Sequence, residues 1–144
     1  MSEAGAERGI LCVCTENTVR SVMLEAILGQ ALNVSVASAG LHPAPFCDMM
    51  VEAFLKEKDL HVPSHDPQAL ADTDIHAFGL WIALSRAAYD ALRAETVKPE
   101  LEYWDIPEPL PLGEAPRDLI ALRLEEIWAA LILHAANRFR ITVP

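Results

Sequence analysis

Hydrophobic and polar positions divide the chain into alternating short runs and longer stripes. Ile10-Leu11-Cys12-Val13 is a continuous apolar run ending at Cys14, and such a run suits a strand covered on both faces. After a polar stretch, Met23, Ala26, Ile27 and Gln30 recur at helical spacing, which predicts a helix to about Leu32 with these residues on its buried face. Residues 33–38 alternate and predict a second strand, followed by a glycine- and proline-containing loop over 38–45. Asp48 is placed to cap a helix through Lys58 that buries Met49, Ala53 and Phe54. Residues 61–67 are proline-punctuated, and Gln68 to Ala71 predict one helical turn. The run from Phe78 to Leu84 predicts a third strand, with Ser85 capping a helix from Arg86 to Glu95. Leu101 to Trp104 reads as a fourth strand, and Asp105 to Gly113 as a loop. Pro116 suits the start of a last helix running to about Arg138. Its stripe reads Leu119, Leu122 or Arg123, Ile127, Trp128, Leu131 and Ala135.

The resulting order, β-α-β-α-β-α-β-α, predicts an α/β fold: one domain with a four-stranded parallel sheet flanked by helices on both faces. Residues 1–8 read as a loose tail and 9–144 as the domain. In such sheets ligands bind beyond the carboxyl ends of the strands. The loops after Cys14, Ser38, Leu84 and Trp104 should therefore gather at one edge.

Composition narrows the function. Apolar residues make up 52% of 144 positions, and the formal charge is −10. The first figure supports a packed core; the second argues against nucleic acid and anionic membrane as partners. No segment has the length of a membrane span or the pattern of a signal peptide. Three cysteines (Cys12, Cys14 and Cys47) form no disulfide pattern, which fits a reducing cytoplasm. The five histidines show no metal-ligand spacing, so neither a metal nor a cofactor is expected.

The chemistry concentrates between the first strand and the first helix, in Cys14-Thr15-Glu16-Asn17-Thr18-Val19-Arg20-Ser21. A loop of this length can turn its amides inward as an anion nest, and the helix start adds unpaired N–H groups and the positive end of its dipole. A thiol at its centre is expected to ionise. Arg20 offers a planar fork for two oxygens of a tetrahedral oxyanion. Asn17 can brace the loop, and Ser21 can hydrogen-bond the sulfur. The competing reading makes Cys14 a small buried hydrophobe and Arg20 a surface residue, which leaves Asn17 and Ser21 without a reason to be where they are.

The run ILCVCTENTVRSVMLEAIL resembles the signature of the low-molecular-weight protein tyrosine phosphatases and their arsenate-reductase relatives: a strand, then Cys-x-Gly-Asn-x-Cys-Arg-Ser, then a helix with Met-x-Glu-Ala. Ser38-Ala39-Gly40, Ser64-His65 with Gln68-Ala69-Leu70, Leu80 to Leu84, and Tyr103 to Pro109 resemble further family segments. The resemblance implies that Cys14 attacks phosphorus to form a cysteinyl-phosphate. It implies that the amides of Thr15, Glu16, Asn17, Thr18, Val19, Arg20 and Ser21, with the Arg20 fork, bind the phosphate. It also implies a carboxylic acid that protonates the leaving oxygen and then activates water. By register that acid is Glu108, before Pro109; Asp105 is its rival. The substrate would be a phosphoprotein or a small phosphomonoester.

The chain departs from the pattern in three places. Glu16 replaces the loop glycine; a positive φ there would cost about 1 kcal/mol, and the charge opposes an anion unless the side chain points out. Val19 replaces the second loop cysteine, which excludes a disulfide within the loop. Glutamate replaces the aspartate of Asp-Pro. Phe46, Tyr103 and Trp104 are candidates to flank an aromatic phosphoester or to pack at the core's edge, and Leu110 and Pro111 stand where the family has an aromatic pair. His65 suits loop bracing. Two other functions stay open: an arsenate reductase using Cys14 with Cys47 or an external thiol, and a non-catalytic oxyanion or phosphoprotein binder.

Overall fold

A computed structural model describes residues 3–44, 49–60, 67–111 and 114–141. Phe46, Cys47, Asp48, Ser64 and His65 lie outside the described residues. Four strands, β1 (Ile10–Cys14), β2 (Val36–Gly40), β3 (Leu80–Ala83) and β4 (Glu100–Tyr103), form one parallel sheet in the order β2-β1-β3-β4. The helices are α1 (Glu3–Glu7), α2 (Arg20–Ala31), α3 (Met49–Glu57), α4 (Arg86–Arg93) and α5 (Arg117–Phe139).

The two continuous apolar runs are the central strands. Every residue of β1 and β3 is buried, because both faces of the sheet are covered. One face carries Ile10, Cys12, Cys14, Leu80 and Ile82 against α2, α3 and α5. The other carries Leu11, Val13, Trp81 and Ala83 against Ala88 and Leu92 of α4. Trp81 is fully buried, and its indole N–H donates to the Ile75 carbonyl at 2.8 Å, so burial strands no donor. From β1 the chain steps to β2 on one side and later returns to β3 on the other. The carboxyl ends of β1 and β3 therefore open a crevice between diverging loops.

Several helix faces differ from the pattern in the sequence. Helix α3 buries Val51, Phe54 and Leu55, while Met49 is 80% exposed and Ala53 is exposed. Helix α5 buries Ile120, Leu124, Ile127, Leu131 and Ala135, leaving Leu119 and Leu122 48% and 58% exposed. That helix carries two overlapping apolar stripes, and only packing on the sheet selects between them. Trp128 is partly buried, edge-on to Phe54 at 5.9 Å. Gln30 is exposed because the last turn of α2 leaves the core. Strand β2 begins at Val36 rather than Asn33, in register with Ile10.

The segment read as a loose tail contains α1. Ala6 joins the core, and Gly5 and Gly79 touch backbone to backbone, so closely that a Cβ on either would collide with the other's carbonyl oxygen. Among the described residues no helix is long and apolar enough to cross a membrane.

Candidate active site

The loop joining β1 to α2 is held from outside by its carbonyls. Leu41, His42 and Ala44 donate their N–H groups to the carbonyls of Cys14, Thr15 and Glu16 at 3.2, 2.8 and 3.2 Å. The peptide bonds are trans, so each carbonyl points opposite to the next residue's N–H. The amides of Thr15, Glu16 and Asn17 are thereby turned away from the 41–44 segment, toward the interior of the loop. Gly40 permits this approach: a Cβ there would lie 2.8 Å from the Asn17 nitrogen and 2.9 Å from the Glu16 carbonyl carbon.

Asn17 takes the loop's one positive φ, 58°, a conformation asparagine adopts more readily than most residues. Glu16 does not need it, so the strain considered for that position is absent. The Asn17 Oδ1 accepts from the Gln68 N–H at 2.9 Å, which fixes the amide's orientation. Its Nδ2 donates to Ser21 Oγ at 2.8 Å and to Ser38 Oγ at 2.9 Å. Ser38 in turn donates to Glu25 Oε1. Ser21 Oγ, having accepted from Asn17, keeps its own hydrogen for Cys14 Sγ, 3.0 Å away. The chain Glu25–Ser38–Asn17–Ser21 thus ends as a donor to sulfur. Thr15 Oγ1 donates to Ser85 Oγ at 3.2 Å, and Ser85 also caps α4 through the Ala88 N–H.

Helix α2 starts without a side-chain cap and without an acidic residue in its first turn. Its first intrahelical bond reaches from the Met23 N–H back to the Val19 carbonyl. The N–H groups before it have no helical acceptor and face the loop's end with the positive pole of the dipole. Val19 packs in the core. Arg20 is only 6% exposed; its Nη1 donates to the Ile106 carbonyl at a long 3.4 Å, and its buried Nε has no partner. Among the described residues no carboxylate pairs with it. A buried guanidinium so weakly satisfied is costly, and its donors suit an oxyanion.

A cavity of about 180 Å³ brings together Cys14, Thr15, Glu16, Thr18, Val19, Arg20, Glu108 and Pro109. Glu108 is exposed on its wall, and its carbonyl accepts from Arg123 Nη1 at 2.5 Å. Asp105 is exposed and does not line it. Of the aromatic residues considered as flanks, the two that are described, Tyr103 and Trp104, are turned elsewhere. Tyr103 packs on Tyr89 at 5.3 Å, and Trp104 is buried, stacked on His134 at 5.3 Å.

Cys12 is fully buried. Burial above all, then the charges of Glu25 and Cys14, push its thiol well up from the ordinary range, so it is an inert neighbour. Three contributors fall in segments that carry the family resemblance, but their residue types by themselves assign them no role. Glu25 reads as a polar position of α2, Gln68 as part of a turn, and Ser38 as a strand end. The visible hint is a glutamate in the half-buried second turn of a helix.

An amide nest, an uncapped helix start, a buried arginine and a sulfur receiving a hydroxyl hydrogen lie together, and their donors suit a tetrahedral oxyanion beside a thiol. This is the fold and loop of a phosphate-loop cysteine enzyme class. The chain belongs to the low molecular weight phosphotyrosine protein phosphatase family, whose model matches residues 9–137, and Cys14 stands in a phosphate-loop-like position. No curated protein sequence matches the chain. Among solved structures it is similar to Wzb from Vibrio vulnificus in complex with benzylphosphonate, at 23% identity and a TM-score of 0.70, covering 90% of this chain and 97% of that one. It is also similar to the YwlE arginine phosphatase from Geobacillus stearothermophilus, at 23% identity, a TM-score of 0.70 and 92% of each chain. Arsenate reductase from Archaeoglobus fulgidus matches at 24% identity and a TM-score of 0.64, over 85% of this chain and 94% of that one. At these identities the likeness establishes the fold.

Proposed function

We propose that the protein is a cysteine-dependent phosphatase acting on phosphomonoesters, of the phosphotyrosine type, in a reducing cytoplasm. The observation that carries this reading is the pairing of Cys14 Sγ with the Ser21 hydroxyl, 3.0 Å apart, beside a buried Arg20 whose Nε is unpartnered. Cys14 Sγ attacks phosphorus, and an S–P bond forms as the P–O bond to the leaving group breaks. The loop amides and Arg20 hold the three equatorial oxygens as charge builds. Glu108 gives its proton to the leaving oxygen. As a carboxylate it then takes a proton from water, which attacks phosphorus, breaks the S–P bond and releases phosphate. Ser21 stabilises sulfur as the leaving group of this second step.

The test is release of phosphate from 4-nitrophenyl phosphate at about pH 5–7. Wild type should turn over and the Cys14→Ser variant should not. Equal, background-level release from the two would overturn the reading. Thiol-dependent formation of arsenite would point instead to the reductase. Phosphate binding by calorimetry without turnover would point to a binding module.

A further inference from the structure

Glu16 sits two residues after Cys14 with its backbone in place: its carbonyl is taken by Ala44, and Gly40 packs behind it. Its φ is not positive, so a side chain is tolerated without strain. That side chain is exposed, lines the same cavity as Cys14, Arg20 and Glu108, and makes no hydrogen bond or ion pair with any described residue. Among the described residues the cavity lining therefore carries one cation, Arg20, and two carboxyl groups, Glu16 and Glu108. Arg20 lies at the buried end and is committed to the oxyanion. Among the described residues no cation of the lining balances Glu16, in a chain whose formal charge is already −10. A phosphorylated substrate with a neutral or anionic leaving group brings more negative charge toward it, and the Coulomb term opposes binding. A substrate with a cation on the leaving side removes that opposition.

We propose that the Glu16 carboxylate selects phosphorylated substrates whose leaving group bears a positive charge, of the ammonium or guanidinium kind. This deepens the phosphatase reading and rests on it for the orientation of the substrate. The phosphoryl group lies among the loop amides and Arg20, the leaving group points out along the wall, and its cation meets Glu16 at the mouth. Glu16 is exposed, so water and salt screen the pair and the preference is modest. The contact is made equally in the ground and transition states, so it acts through KM rather than kcat.

The test uses a matched pair of probes, phenyl phosphate and 4-(trimethylammonio)phenyl phosphate. The cationic probe also has the better leaving group, so the quantity read is the ratio between probes compared across variants. Binding of both to the Cys14→Ser protein by calorimetry reads selectivity without turnover, which keeps this test separate from failure of hydrolysis. Adding Glu16→Gln should lower the cationic-to-neutral affinity ratio about fivefold, the upper end for an exposed ion pair. Glu16→Asp should hold the ratio within about twofold, and Glu16→Lys should reverse the preference. In proteins that turn over, the same changes should appear in KM and diminish at high salt. A ratio unaltered by Glu16→Gln and by Glu16→Lys overturns the proposal and leaves the phosphatase reading standing.

Discussion

The two sides of the cavity are built by different means. The loop from Cys14 to Ser21 is buried except at Thr15 and Glu16, and its hold is redundant. Three of its carbonyls are bonded to the 41–44 segment, and Asn17 alone bonds Gln68, Ser21 and Ser38. The opposite wall, from Trp104 to Pro109, has only two buried anchors, Trp104 and Ile106. Asp105, Pro107 and Glu108 are exposed, and Glu108 is tethered through its carbonyl to Arg123. The loop that carries Cys14 and Arg20 is thus an extension of the core, whereas Glu108 is carried on a surface segment. Changes in the first should cost stability and rate together; changes in the second should cost rate alone.

Five substitutions test that contrast. Arg20→Lys keeps the charge and loses the fork; kcat for an aryl phosphate should fall about 10²- to 10³-fold, and a fall of less than tenfold would remove the fork from the account. Glu108→Gln should lower kcat about 100-fold, with an unchanged melting temperature. Asp105→Asn should stay within about threefold of wild type; a larger effect there than at Glu108 would exchange their roles. Asn17→Ala removes two buried and one partly buried hydrogen bond and the residue suited to φ 58°, and should cost about 2–3 kcal/mol in denaturant unfolding as well as rate. The smallest effect is at Cys12. Its thiol is raised in the folded protein, so the unfolded chain releases a proton first, and this stability is fully present below about pH 8.5 and lost as pH rises above it. The Cys12→Ala protein should lose stability less steeply over about pH 8–10; parallel slopes would show that Cys12 does not contribute.

The same contrast explains what could be read before folding. Strands β1 and β3 are covered on both faces, and burial on both faces leaves an unbroken apolar run. The cradle is local: a strand end, a loop and a helix start lie within a dozen residues, so their spacing is written in order. Glu108 and Asp105 lie more than eighty residues away, and order along the chain does not say which of them lines the cavity. Tyr103 and Trp104 were plausible flanks until packing turned them toward Tyr89 and His134. In α5, Leu119 and Leu122 were as good a stripe as Ile120 and Leu124, since periodicity does not say which side meets the sheet.

The amino-acid order by itself determined the alternation of strand and helix and the placing of a thiol six residues before an arginine at a helix start. Both follow from neighbours along the chain, through backbone geometry and burial period. The tertiary structure decided that Asn17 rather than Glu16 takes the positive φ, that Glu25 and Ser38 stand behind Ser21, and that Glu16 and Glu108 share a cavity with Arg20. Those are contacts between segments far apart in sequence, and the parallel sheet is what brings their ends to one edge.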